Sequence, residues 1–492
     1  MFQLNGKIHD RYTLELKMGF GAETDGEMAL DAWFFFPDAL YLNADTYPKA
    51  SVYRDVRTMV RLMTPVFTLQ QIADPTELPL QRLTKWCRLV AESQTERHCR
   101  MYEHQVKMFC NVVKSAVRDA RMPVPELCNS LQSLFDAYRA LPAQTGLNTA
   151  PEEQQRIFRL GDEYISRVAV TRVFELSSPT RSLKSTSPSG ERLGVRQGAG
   201  NEVAGDEVSF LSQELEYERR QGYILPQRGD DARNRSFLHR AGQLKKYVES
   251  ELYILVHERS NTFLLQQLFF MLVAGLSMIF ATVISFSFQQ SFGNFTVELF
   301  LALTISYMFK DRIKSLGQQW FATRAGNRFY DYKTRLALRG QRIGWRKSGT
   351  SFVSHDKIPD EVQSLRGSVN TLGAGTMGVT ESVLIYRQRL ALFPRHLSAL
   401  SHYPLAGVNE IFRINLREFL RRMDSSHATV YCLDDDARCG NMQAEKVYYV
   451  HLVIRARLAN DTKYMHFRLA LTRRGAFELT ELKSDSPRAC PK

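Results

Sequence analysis

The chain reads as an α+β membrane protein: N-terminal strands plus a helical bundle, a two-helix transmembrane hairpin continuing into a cytoplasmic helical stalk, and a small C-terminal α+β domain with an antiparallel meander. Three observations predict this. Residues 263–288 contain no ionisable side chain. Apolar residues recur at three- and four-residue steps on both sides of that run. Between Tyr448 and Leu482 apolar and polar residues alternate with a period of two.

The first segment, FLLQQLFFMLVAGLSMIFATVISFSF, extends over about 39 Å as a helix, enough to cross a hydrocarbon core roughly 30 Å thick with some tilt. After QQSFGN, a second span is expected over about 292–309. Its only charge is Glu298, which must lie near the outer headgroups because a carboxylate at the bilayer centre is costly. The competing reading, a hairpin buried in a soluble core, predicts a polar stripe that the first segment lacks. Gln266 and Gln267 fit the inner interface. Gly275, Ser277 and Ala281 are candidate packing positions, since small residues let helices approach closely. The basic residues Arg240, Lys245, Lys246 and Arg259 precede the hairpin, Lys310, Arg312 and Lys314 follow it, and its turn has none. The positive-inside rule then places both ends in the cytoplasm, with a multi-pass protein in the inner membrane.

Leu238, Ala241, Leu244, Val248, Leu252 and Leu255 upstream, and Phe309, Ile313, Leu316, Trp320, Phe329, Tyr332 and Leu336 downstream, predict helices that continue from the spans and pair as a stalk. Residues 310–347 carry eleven Lys or Arg against Asp311 and Asp331, a local balance of +9 within a net charge of +13. Lys310, Arg312, Lys314, Arg324 and Arg328 are the candidate membrane-surface contacts, with anionic lipid as partner. The interleaved Trp320, Phe321, Phe329, Tyr330 and Tyr332 make nucleic acid the rival partner, and a solvated basic helix face is the plain alternative. Because Arg outnumbers Lys 47 to 18 along the whole chain, overall charge alone selects no partner.

The 492 residues suffice for about two to four domains. Seven scattered cysteines fit a reducing compartment better than a disulfide framework. With 44% apolar and 24% charged residues, any membrane segment is a small part of the chain. The opening MFQLNGKIHDRYTLEL has no basic, then apolar, leader, so the N-terminal region is expected to begin in the cytoplasm.

The expected divisions are an N-terminal region over 1–176, a flexible linker rich in Ser, Gly and Pro over 177–206, a stalk segment over 207–262, the hairpin over 263–309, a basic helix over 310–347, a polar linker over 348–378 and a C-terminal domain over 379–483. In the first, Tyr12, Leu14, Leu16 and Met18 mark one strand and Met28 to Phe36 a second. A long helix follows Pro79 through about Arg118, with Leu83, Trp86, Val90, Phe109, Val113 and Val117 inward, and further helices are expected at about 125–141 and 152–175. In the last, strands along Tyr448–Leu458, Met465–Leu471 and Phe477–Leu482 form the meander. An amphipathic helix through Val408, Ile411, Phe412, Leu416, Phe419 and Leu420 is expected to cover it.

Motifs for chemistry are absent: the sequence contains no phosphate loop, dinucleotide fingerprint, nucleophile elbow or HExxH helix. LGAGTMG at 372–378 lacks the lysine of a phosphate site. His98, His104 and Cys110 recur every six residues on one helix and diverge by about 120° per step, so they cannot converge with Cys99 on one ion. The acidic run between Cys432 and Cys439 reads as a loop more readily than as a cation site. No catalytic, cofactor or metal residue is assigned. The expected role is a non-enzymatic, membrane-anchored binding, sensor or scaffold protein with a cytoplasmic ligand or protein partner. A homo-oligomer whose hairpins form a pore is the first alternative, and a membrane-tethered enzyme with a non-local site is the second.

Overall fold

Leu14, Leu16 and Met18 are buried at the two-residue spacing of a strand face packed on a core, and this segment lies in a four-stranded sheet. The computed structural model describes residues 3–21, 27–177, 205–260, 263–293, 297–320, 330–367, 381–393, 395–396, 403, 407–433, 439–458 and 461–482. These form a mixed α+β protein with several antiparallel sheets, divided by their contacts into two units.

The first unit comprises Met1–Arg61, Ile254–His402 and Gly407–Lys492. Its four-stranded sheet holds β1 (Gln3–Asp10), β2 (Thr13–Gly21) and β4 (Val56–Leu62), together with β9 (Gly407–Asn415) between β2 and β4. The larger sheet runs in the order β14-β13-β12-β3-β8-β7-β6-β5. In chain order these strands are β3 (Glu27–Pro37), β5 (Leu255–Ser260), β6 (Tyr332–Leu338), β7 (Gln341–Val353), β8 (Glu381–Leu392), β12 (Tyr448–Leu458), β13 (Asp461–Thr472) and β14 (Gly475–Leu482). Every adjacent pair is antiparallel. Central β3 is apolar on both faces and almost wholly buried. On one face Trp33 and Phe35 join Val453, Val383 and the residues Val362 and Leu365 of α11 (Asp360–Gly367). On the other, Phe36 meets Phe419 edge to face at 5.0 Å, and Tyr386 meets Phe412 at the same distance.

The second unit comprises Leu62–Tyr253 and Tyr403–Ala406. Its helices are α2 (Leu69–Ala73), α3 (Leu78–Glu92), α4 (Glu96–Asp119), α5 (Val124–Thr145), α6 (Glu152–Ser177), α7 (Gly205–Arg220) and α8 (Asp231–Glu249). Leu83, Val90, Phe109, Val113 and Val117 share one core with Phe135, Tyr138 and Phe158, and Trp86 packs at its edge. A buried ion network ties three helices: Arg139 donates to Asp162 at 2.9 Å and to Glu214 at 2.5 Å, while Tyr217 and Tyr223 donate to Asp162 at 3.0 Å.

Several expectations are corrected. The long helix after Pro79 is two helices, because Thr95 caps α4 by accepting from the His98 amide. The segment from Val408 to Asn415 is strand β9, and only Arg417–Arg421 is helical; its apolar positions also fit a period of two. The division at 176 and 379 is not the one the contacts draw, since β12 pairs with β3 and β9 with β2. Within the expected polar linker over 348–378, β7 continues to Val353 and α11 forms; the stretch 368–380, with LGAGTMG, lies outside the described residues. So do residues 178–204 of the linker over 177–206.

The stalk is also replaced. Leu244 and Val248 of α8 bury in the helical core, and Leu255 lies in β5. The described residues of the basic segment are helical through Trp320 and strand in β6 and β7, with 321–329 outside the described residues. Tyr332, Thr334, Leu336 and Leu338 alternate as a strand, and Arg339 and Gly340, at φ of 51° and 82°, form the tight turn that returns the chain.

A buried histidine pair in the meander yields a pH prediction. His451 and His466 lie diagonally across β12 and β13 with ring nitrogens 3.0 Å apart. Burial, reinforced by the nearby Arg366, lowers His451 to about 3 and His466 to about 4. In the unfolded chain both take protons near 6.5. Stability is therefore complete above about pH 6.5 and is lost as pH falls towards 4, by up to about 2 kcal/mol per ring at pH 5. Thermal unfolding followed from pH 7.5 to 5 should show this loss, and the double substitution His451→Gln with His466→Gln should reduce it.

Candidate functional site

The chain leaves the large sheet at Ser260 and re-enters it at Tyr332, which pair directly across β5 and β6. Between them stand α9 (Phe263–Phe292) and α10 (Val297–Trp320). The hairpin is thus an insertion between two neighbouring strands. Its return is held by Asp331, which accepts from Lys49 Nζ at 2.9 Å, from the Tyr53 hydroxyl at 2.8 Å and from the Thr350 amide at 3.0 Å. Lys49 and Tyr53 come from α1 (Lys49–Asp55). Burial, with the Asp331 charge beside it, raises the Tyr53 phenol and keeps it a donor.

Within the hairpin, Ser277 and Ser306 face inward. Ser277 is 2% exposed and Ser306 3%; Ser306 donates to the Ala281 carbonyl at 3.3 Å, and Ser277 donates to the Ala274 carbonyl at 2.8 Å. A Cβ on Gly317 would lie 2.5 Å from a methyl of Val273, so the helices touch there only because residue 317 has no side chain. Phe269 and Trp320 stack with centroids 6.0 Å apart. Phe280, Ile284 and Phe288 line an apolar groove with Leu301, Ile305 and Phe309. Outside, Leu268, Met271, Leu272, Leu276, Ile279, Val283 and Phe286 are exposed along α9, with Phe300, Tyr307 and Met308 along α10. The usual order of a water-soluble fold is inverted.

Among the described residues one helix, Gln266–Ser291, is long and apolar enough to cross a membrane, with a mean hydropathy of 2.3. α10 is not such a helix. Between Glu298 and Lys310 it has eleven uncharged residues, 299–309, or about 16 Å. Lys310 lies 3.7 Å from the Tyr307 ring centroid and is half-buried, while Arg312 and Lys314 are exposed. Arg324 and Arg328 lie outside the described residues. Of the small residues singled out in the sequence, Ser277 and Ala281 are at the helix contact, whereas nothing lies within 4 Å of a Cβ built on Gly275. Gly317, which spacing alone did not single out, makes the close approach. Gln266 is half-buried and Gln267 exposed. Arg240, counted above with the basic flank, pairs with Glu163 at 2.6 Å inside the helical unit.

Elsewhere, polar clusters are engaged internally. Glu410, fully buried, accepts from Gln388 and faces Arg346 at 3.5 Å; burial raises its carboxyl and Arg346 opposes the shift. Asp31 is held by Arg455 at 2.7 Å and Arg457 at 3.3 Å. His98 bonds to the Ser93 carbonyl, His104 to Glu251, and Cys110 is buried against the Gly161 carbonyl. Cys432 and Cys439 sit in the two-stranded ribbon of β10 (His427–Leu433) and β11 (Cys439–Glu445), and the acidic residues 434–436 lie outside the described residues. Among the described residues no group of three or more His, Cys, Asp or Glu is placed to hold a metal.

Replacing Gly317 with Leu should therefore force α9 and α10 apart at Val273, at a cost of about 1–3 kcal/mol. Cysteines introduced at 281 and 306 should oxidise to a cross-link, mapped by peptide mass spectrometry, much more slowly in that background. In comparisons with known proteins, no family model, no curated protein and no solved structure matches this chain.

Proposed function

We propose that this chain is a non-enzymatic, membrane-anchored binding or scaffold protein, in which the hairpin enters the bilayer and holds the two folded units at its cytoplasmic face. The observation that carries this reading is α9: thirty residues without an ionisable group, with bulky apolar side chains exposed along its length and Ser277 turned inward. In water that surface would be strongly unfavourable, since each fully exposed Leu, Ile or Phe forgoes about 1.5–3 kcal/mol of burial. A lipid environment removes the penalty. The turn after α9 carries no Lys or Arg, while Arg259 precedes the hairpin and Arg324, Arg328 and Lys333 follow α10, so both ends of the hairpin face the cytoplasm of an inner membrane.

In this reading α9 is the principal span and α10 accompanies it. The two-pass form carries a cost, because a charged residue exposed to lipid at mid-bilayer costs about 2.5–3.5 kcal/mol on insertion scales. Anionic lipid headgroups are the favoured contacts of the basic residues outside the hydrocarbon. The partner bound by the folded units is a cytoplasmic ligand or protein.

The anchor is tested at two exposed positions, so that folding is left intact. Leu272 is 66% exposed and Ile279 61%. Replacing both with Arg should weaken partition into vesicles by about ten-thousandfold, two charges at about 3 kcal/mol each. Vesicle flotation, with circular dichroism to verify the fold, measures this. A folded double variant that floats as the parent does would show that the hairpin is not the anchor.

A further inference from the structure

Within the helical unit, α4, α6 and α8 leave an open cleft of about 330 Å³ between them. This lies at the small end of the roughly 300–1,000 Å³ typical of ligand sites. Its walls are largely apolar, formed by Val117 of α4, Tyr164 and Val168 of α6 and Leu244 of α8. Val117, Tyr164 and Leu244 belong to the buried helical core, and Val168 packs against it. The walls are thus fixed by packing that owes nothing to a ligand.

The charged groups around these walls are nearly all cations. Lys114, Arg118, Arg167, Arg172 and Lys245 line the cleft with one carboxylate, Glu175. Four of the five are matched: Lys114 by Glu249, Arg118 by Asp119 at 2.7 Å, Arg167 by Glu163 at 2.8 Å and Arg172 by Glu175 at 3.4 Å. Two of these matches are partial. Glu163 is shared with Arg240 at 2.6 Å, and the buried Nε of Arg172 has no hydrogen-bond partner among the described residues. Arg167 is only 8% exposed; its Nε and Nη1 also lack a partner, and Phe237 covers one face of the guanidinium at 4.6 Å. Lys245 is exposed and makes no ion pair among the described residues. The cleft therefore combines an apolar lining with one uncompensated cation and incompletely bonded guanidinium groups.

We propose that this cleft binds a small amphipathic monocarboxylate, its apolar body on Val117, Tyr164, Val168 and Leu244 and its carboxylate at the rim beside Lys245 and Arg172. The inference rests on the reading of the folded units as binding modules and gives their ligand a chemical class. An inorganic anion would leave the apolar walls in water. A neutral apolar body would cover Arg172 without returning a hydrogen bond, which is costly for a charged donor. A carboxylate returns it, because its oxygens accept charge-assisted bonds from guanidinium and ammonium groups. Since Lys245 alone of the five lining cations has no counter-charge, a single negative charge balances the site and a dianionic phosphate exceeds it.

The experiment uses the full chain with phosphatidylcholine vesicles and an octanoate analogue that carries a diazirine in its alkyl chain, photolysed and mapped by peptide mass spectrometry. Labels are expected on α4, α6 and α8 around Val117, Val168 and Leu244, and excess octanoate should remove them several-fold better than octanol or acetate does. Thr171→Trp, at an exposed position lining the cleft, should abolish these labels. Lys245→Glu should raise the octanoate needed for competition several-fold, and Lys245→Arg should not, with circular dichroism to verify each fold. Labels that octanoate fails to displace, or that octanol displaces equally, overturn the proposal. So does unchanged labelling in a folded Thr171→Trp chain, or unchanged competition in a folded Lys245→Glu chain. Flotation is read on the same vesicles: a chain that floats without displaceable label overturns this inference alone, whereas one labelled in the cleft that fails to float overturns the anchor and leaves the cleft assigned.

Discussion

The constraint on which the rest turns is an unmet hydrophobic demand. α9 presents Leu268, Leu272, Ile279 and Phe286 outward, and among the described residues no strand or helix of its own unit covers that face. Elsewhere the same unit follows the ordinary rule: β3 buries Trp33, Phe34, Phe35 and Phe36, and the helical unit encloses Phe109, Phe135 and Tyr138. Among the described residues the inversion is concentrated in the hairpin. Its interior contact is made by Ser277, Ser306, Ala281 and Gly317, residues too small to form a hydrophobic core but suited to close packing where the surroundings are apolar.

The hairpin is inserted in the chain between two paired strands of the large sheet. β5 and β6 are adjacent, and Ser260 faces Tyr332 across the ladder, so the two helices rise from neighbouring points. On the return side Asp331 gathers a lysine, a phenol and a backbone amide from three segments, and Tyr332 packs edge to face on Tyr53 at 4.6 Å. A displacement of this sheet edge would therefore be shared between Asp331, Tyr332, β7 and α1 through packed and hydrogen-bonded groups.

Much of the local structure was legible in the sequence because it rests on periodicity. The alternation in Tyr448–Leu458 and Asp461–Thr472 becomes two paired strands, and Val124–Thr145 and Glu152–Ser177 are helices close to where the apolar spacing put them. Errors arose where one set of residues satisfies two periods. Tyr332 and Leu336 suit a helix at four-residue spacing and a strand at two, and the turn at Arg339–Gly340 is the signal that separates the two. Val408 to Asn415 is the same case; there the partner strand β2, some four hundred residues earlier, decides it. The break at Ser93–Thr95 was marked by a capping threonine that the apolar pattern does not weigh.

By itself the sequence determined that residues 263–288 form an uncharged apolar helix, that basic residues lie downstream of it, and that strands lie near both ends of the chain. These are properties of neighbours along the backbone, set by side-chain chemistry and helix or strand period. Only the tertiary structure decided that N- and C-terminal strands share sheets, that the helical unit is an insertion between β4 and β5, and that the hairpin grows from one edge of a sheet. It also set the level of Lys310, Arg312 and Lys314 against the middle of α9. That level follows from how two antiparallel helices slide to bring Gly317 onto Val273, a contact between residues 44 apart in the chain that no local pattern encodes.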